Sequence, residues 1–129
     1  MTRSIPDAAV LLGAVADYLE SELLPTLAGY HRFQTRVAAN VLRTLGREAQ
    51  LGATHDAAEG ERLRALLGHA GEVPALRREL AVRIADGTRA IDDPRLLEHL
   101  ERTLADALRV NNPDWIGDAE AGAPHPSAR

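Results

Sequence analysis

Apolar residues recur at helical spacing along most of the chain. Leu11, Val15, Leu19 and Leu23 stand four apart, with Leu12 beside them, and predict a core-facing helix from Pro6 to about Leu24. Ser4 is its candidate N-cap, Pro6 suits the first turn and Asp7 is placed well for the helix dipole. Pro25 disfavours helical geometry at Leu24, so a break or kink is expected there. A second helix is predicted from about His31 to Gln50, ending near Gly52, with Val37, Ala38, Val41 and Leu45 buried and Phe33 at the margin. A third covers roughly Thr54 to Leu67, with Leu63, Leu66 and Leu67 as its apolar set. After a turn flanked by Gly68 and Gly71, a fourth starts at Pro74 and ends at Gly87, with Val73, Leu76, Leu80 and Ile84 on one side. The fifth opens at "DDPRLL" with Asp93 as N-cap and Pro94 at the first helical position, carries Leu96, Leu97, Leu100, Leu104 and Leu108, and stops at "NNP", residues 111–113. The closing "GDAEAGAPHPSAR" has no periodicity and reads as a disordered tail. The expected fold is all-α: one compact bundle of about five helices over residues 1–116, then a tail over 117–129.

Composition agrees with helix and narrows the chemistry. Alanine and leucine are abundant and aromatics make up only 3%. The absence of cysteine excludes disulfides, zinc–thiolate sites and thiol nucleophiles. All 15 basic residues are arginine, which removes P-loop, Schiff-base and kinase-type ATP lysines. A net charge of −4 disfavours a general nucleic-acid role. "AAVLLGAVA" after Arg3 briefly resembles an export leader, but Asp7 interrupts its flank and the residues continue an amphipathic helix. No apolar run approaches the length of a membrane span, so a cytoplasmic location and no membrane association are expected.

Three local features carry candidate chemistry. On the second predicted helix Arg36, Asn40, Arg43 and Arg47 fall within a sector of about 60° at 100° per residue. Like charges at Arg43 and Arg47 call for something anionic nearby. Either they ion-pair with carboxylates of the first or fifth helix, or they form a surface for an acidic partner or a phosphate-bearing ligand. Glu48 falls on the apolar side, where a carboxylate needs water, an arginine or a place in an interface. In "VNNPDW", residues 110–115, Trp115 is either folded back on the bundle or an anchor for a partner's pocket. His55 and Glu59 share a helix face without making a metal motif, and His99 reads as part of a solvated face with Glu98 and Arg102. No serine sits in an elbow motif and there is no glycine-rich phosphate loop, so no catalytic residue, metal or cofactor is expected.

The string "RVAANVLRTLGRE", preceded by "ELLP" and "RF" and followed by "DDPRLLEHL" and "NNP", resembles a family of small bacterial domains of unknown function. Their genes lie beside kinases of the aminoglycoside-phosphotransferase-like fold and acyl-CoA dehydrogenases. The similarity spans roughly residues 5–115, with "RVAAN", Arg47 and Glu48 its most specific part. The resemblance implies a non-catalytic accessory subunit for such a kinase acting on hydroxyacyl-CoA thioesters, where phosphorylating the hydroxyl creates a leaving group. The kinase would hold ATP, magnesium and the catalytic aspartate. On this reading the arginine stripe docks the kinase or touches a CoA phosphate at a shared cleft. A stand-alone acyl-CoA- or small-ligand-binding bundle and a homo-oligomeric structural protein, with a homodimer through Val10 and Leu24, are the competing readings.

Overall fold

The structure is a computed structural model that describes the backbone of residues 5–120 and the side chains of residues 5–116. Among these residues it is all-α, with five α-helices and no strand. They are α1 (Ala8–Tyr18), α2 (Gly29–Leu67), α3 (Val73–Ala85), α4 (Pro94–Asn111) and α5 (Pro113–Glu120). Residues 117–120 continue α5, and the rest of the expected tail, residues 121–129, lies outside the described residues. No helix is long and apolar enough to cross a membrane.

The cap of α1 is Asp7, whose carboxylate accepts from the Val10 amide at 3.1 Å. Ser4, the expected cap, lies outside the described residues. The α-helical winding ends at Tyr18, a wide turn covers Leu19–Leu23 and a tight one Leu24–Thr26. The break expected at Pro25 is therefore present, and the chain begins to loosen six residues before it.

Two expected helices are one. Residues 29–67 wind without interruption through Gly52. A glycine ends a helix by taking a left-handed conformation, which Gly68 and Gly87 do at φ 78° and 80° and Gly52 does not. Gly52 in right-handed geometry costs only about 1 kcal/mol relative to alanine, and no proline stands between Pro25 and Pro74 to force a stop. At Gly68 the stop is real, and its amide donates to the Arg64 carbonyl at 2.8 Å.

The contacts divide into two compact units. Unit 1 holds residues 5–52 and 110–112. Its buried positions are small: Ala16 of α1 and Ala39 of α2, both without exposure. A Cβ at Gly46 would stand 3.8 Å from the Ala9 carbonyl oxygen and from Leu12 Cβ, so α1 and α2 approach closely along this line. Ala39, Arg43 and Gly46 fall within about 60° of the α2 wheel. Phe33, Val37, Val41 and Leu45 lie opposite them and are exposed. The expectation that Val37, Ala38, Val41 and Leu45 form the buried side is thus overturned, since all four are exposed. The helix turns its small residues to α1 because they permit the closer approach.

Unit 2 holds residues 53–109 and 113–120 among those described. Its core is Leu63, Leu66 and Leu67 of α2, Leu76 and Leu80 of α3, and Leu96 of α4, with Val73 and Ile84 packed on it. Asp93 starts α4 as expected, accepting from the Arg95 amide at 2.9 Å. The α4 stripe splits: Leu96 is buried, while Leu97, Leu100 and Leu104 are exposed.

Candidate functional site

The residues of the arginine stripe have three different fates. Arg43 faces α1 and holds two carboxylates. Its Nε and Nη2 donate to Glu20 at 3.1 and 2.8 Å, and Nη2 also donates to Asp17 at 2.9 Å. The hydrogen bond from Arg43 holds the Glu20 carboxyl below its ordinary value, against a smaller effect of burial. Arg47 donates through Nε to the carbonyl oxygen of Val110 at 2.7 Å and through Nη2 to Thr44 at 3.3 Å. Val110 lies in the last turn of α4, where unpaired carbonyls favour a cation. Arg36, Asn40 and Glu48 are exposed, and their side chains make no hydrogen bond or ion pair with a described residue. Trp115 sits on α5, half-exposed.

Unit 2 holds the buried charge. Glu59 of α2 is 7% exposed, and Arg77 of α3 grips its carboxylate with two parallel hydrogen bonds of 2.6 Å. That grip holds Glu59 below the usual carboxylate value. One turn along α2, Arg62 donates to Nδ1 of His99 at 3.2 Å and to the Thr103 hydroxyl at 3.2 Å. His99 is buried rather than part of a solvated face. Burial lowers its pKa first, the Arg62 charge adds to that, and Glu59 opposes it. Because Nδ1 accepts from Arg62, the neutral ring carries its proton on Nε2.

Beside this seam α2, α4 and α5 border a groove of about 780 Å3, lined by His55, Arg62, Arg102, Asp106, Arg109 and Ile116 among others. Its charges are largely committed to each other. Arg109 meets Asp106 at 2.8 Å, His55 meets the same carboxylate at 3.6 Å, and Arg102 meets Glu98 at 3.0 Å. The groove offers hydrogen bonds and a balanced field. It holds no serine or cysteine beside a base. Among the described residues no group of three His, Cys, Asp or Glu side chains could hold a metal ion.

Two features were missed in the sequence. The Glu59–Arg77 and Arg62–His99 contacts join residues 18 and 37 apart, beyond the reach of any helical spacing rule. The outward apolar stripe of α2 was visible as a stripe, but its direction was not. Ala39 and Gly46 point to the covered side: they stand seven apart, and Ala39 is buried.

Residues 25–115 match the family model described as a domain of unknown function, DUF6285, and the chain belongs to that family. No curated protein and no solved structure matches it.

Proposed function

We propose that the chain is a non-catalytic accessory subunit of an aminoglycoside-phosphotransferase-like kinase acting on hydroxyacyl-CoA thioesters in fatty or hydroxy acid catabolism. The observation that carries this reading is the apolar surface left uncovered. Phe33, Val37, Val41 and Leu45 on α2, and Leu97, Leu100 and Leu104 on α4, are all exposed. Single exposed hydrophobes are ordinary, whereas stripes of them mark surfaces that another molecule covers. The polar groups support the same reading, since the strongest of them are bound to one another rather than poised for chemistry. The kinase as partner comes from the resemblance carried by "RVAANVLRTLGRE".

The test is co-expression with a neighbouring kinase-like gene, tagged purification and an ATP-dependent assay on a 4-hydroxyacyl-CoA, with and without this chain. Co-purification with activity only in its presence is the expected result. A kinase equally active alone, with no co-purification, would sink the proposal. The groove favours a second reading, a small-ligand-binding bundle, because about 780 Å3 is within the range of ligand sites. Calorimetry of the isolated chain with acyl-CoA tests that directly.

A further inference from the structure

We propose that a recess between α2 and α4, within unit 2, binds a phosphate group, either as the free ion or on a small phosphate monoester. The recess has a volume of about 170 Å3 and adjoins the larger groove, with which it shares Arg62, Glu98 and Arg102. It stands whether or not a kinase is the chain's partner. Its lining includes two buried residues, Leu66 and His99, the latter only 4% exposed, and two exposed arginines, Arg95 and Arg102. Nδ1 of His99 accepts from Arg62, so Nε2 carries the proton of the neutral ring. That N–H donates to no described residue. Among the described residues no fully enclosed polar side-chain atom lacks a partner, so Nε2 is open rather than sealed in the core. A buried ring with one unused donor, lining a recess, is placed to meet an acceptor there.

The rest of the lining sets the charge of that acceptor. Arg62 spends Nε and Nη2 on two neutral groups, His99 and Thr103, and keeps Nη1. Arg95 makes one long bond, from Nη2 to the Ala65 carbonyl at 3.4 Å, and keeps Nε and Nη1. The one carboxylate in the lining, Glu98, meets Arg102 at 3.0 Å. Beyond the lining, Glu59 is gripped by Arg77 and Asp93 by Arg89. Glu61, Asp92 and Glu101 are exposed, where solvent and salt screen them, and none of them lines the recess. Arg62 and Arg95 therefore bring two charges to the recess that no carboxylate in its lining answers. A phosphate monoester carries close to two negative charges at neutral pH. Its oxygens also point in several directions, so donors on α2 and α4 can share them, which a flat carboxylate allows less well.

The experiment titrates the full chain with methyl phosphate, inorganic phosphate, dimethyl phosphate and acetate, each at constant ionic strength. Nitrogen-detected NMR of the His99 imidazole reads binding, and thermal melts read the accompanying stabilisation. Methyl phosphate is expected to move the Nε2 resonance saturably and to bind at least about tenfold more tightly than the monoanions dimethyl phosphate and acetate. Arg95→Gln is expected to weaken it about fivefold or more while melting with the wild type in the absence of ligand. Glu98→Gln removes the competing carboxylate, frees Arg102 and is expected to tighten binding. No saturable shift, a shift that sodium chloride reproduces, equal or tighter binding of acetate, or binding that neither substitution changes overturns the proposal. Methyl phosphate binding as tightly as inorganic phosphate upholds the site and gives it to a phosphorylated molecule, whereas a clear preference for inorganic phosphate upholds it and gives it to the free ion. Acyl-CoA binding without any phosphate response overturns this site and leaves the groove reading in place. Because no kinase enters the assay, failed kinase co-purification sinks the accessory reading alone.

Discussion

The guanidinium of Arg77 lies flat against the carboxylate of Glu59, two hydrogen bonds of 2.6 Å joining α3 to α2 beside the leucine core of unit 2. Arg77 reaches solvent, with 52% of its side chain exposed, while Glu59 keeps only 9%. Removing the arginine therefore strands a buried carboxylate. Arg77→Ala is expected to destabilise the chain by about 2–3 kcal/mol. Glu59→Gln should cost less, because a neutral amide tolerates burial better. Urea unfolding of the two variants checks the order, and a larger loss in Glu59→Gln would contradict it.

The same pair sets an acid dependence. Arg77 lowers the folded-state pKa of Glu59 from its ordinary 4.5. A carboxyl with a depressed folded pKa contributes stability that is present above its unfolded value and lost as pH falls through the folded one. The chain should weaken below about pH 4.5, and Glu59→Gln should flatten that fall. Urea midpoints between pH 3 and 6 measure it, and parallel curves for wild type and variant would refute the assignment.

His99 works in a neighbouring window with a different origin. Burial and the Arg62 charge depress its pKa from 6.5, so between that value and the lower folded one the unfolded chain binds more protons. Stability must therefore rise with pH across this window, fall on acidification through it, and stop responding to His99 below the folded value. Protonation also removes the Nδ1 lone pair that accepts from Arg62. His99→Gln should flatten the slope just below pH 6.5 while leaving the Glu59 step below it in place. Nitrogen-detected NMR of the imidazole should show the Nε2–H tautomer at neutral pH.

The core of unit 2 was legible in the sequence. Leu63, Leu66, Leu67, Leu76, Leu80 and Leu96 were all expected inside and are buried. The start of α4 at Asp93–Pro94 was legible too, since a side-chain cap followed by proline is a local signal. What periodicity cannot tell is which side of a helix its neighbour in the fold covers. Val37, Val41 and Leu45 recur as a core stripe does, yet α1 packs on the opposite side, against Gly46, where Ala39 is also buried. Likewise Arg36, Asn40, Arg43 and Arg47 read as one polar surface. A hundred degrees per residue does not say that α1 takes Arg43, that the end of α4 takes Arg47, and that Arg36 is left to solvent.

Arg43 measures how far α1 depends on charge. It bridges two carboxylates, but its own side chain is 35% exposed and Asp17 is 70% exposed, so solvent weakens the attraction. Arg43→Ala is expected to cost about 1 kcal/mol or less, and added salt should narrow the gap to wild type. Asp17→Asn should change little, because Glu20 makes the two-bonded contact. Thermal melts at low and high salt test this, and a salt-independent loss of several degrees would mean that the packing of the guanidinium stem matters more than its charge.

The glycines of α2 decide between one helix and two. Gly52 has right-handed geometry, and a Cβ added there would meet only Glu48 Cγ at 3.8 Å, an ordinary contact. Gly52→Ala should therefore stabilise the chain by about 0.5–1 kcal/mol, because alanine enters a helix at lower conformational cost. Gly68 has φ 78° at the helix end, and alanine there is strained even though nothing stands within 4 Å. Gly68→Ala should destabilise by about 1 kcal/mol. The opposite signs are the test. If residue 52 instead ended one helix before the next began, it would need the left-handed conformation, and both substitutions would lower the melting temperature. Paired melts of Gly52→Ala and Gly68→Ala, with far-ultraviolet dichroism to follow helix content, separate a continuous α2 from a broken one.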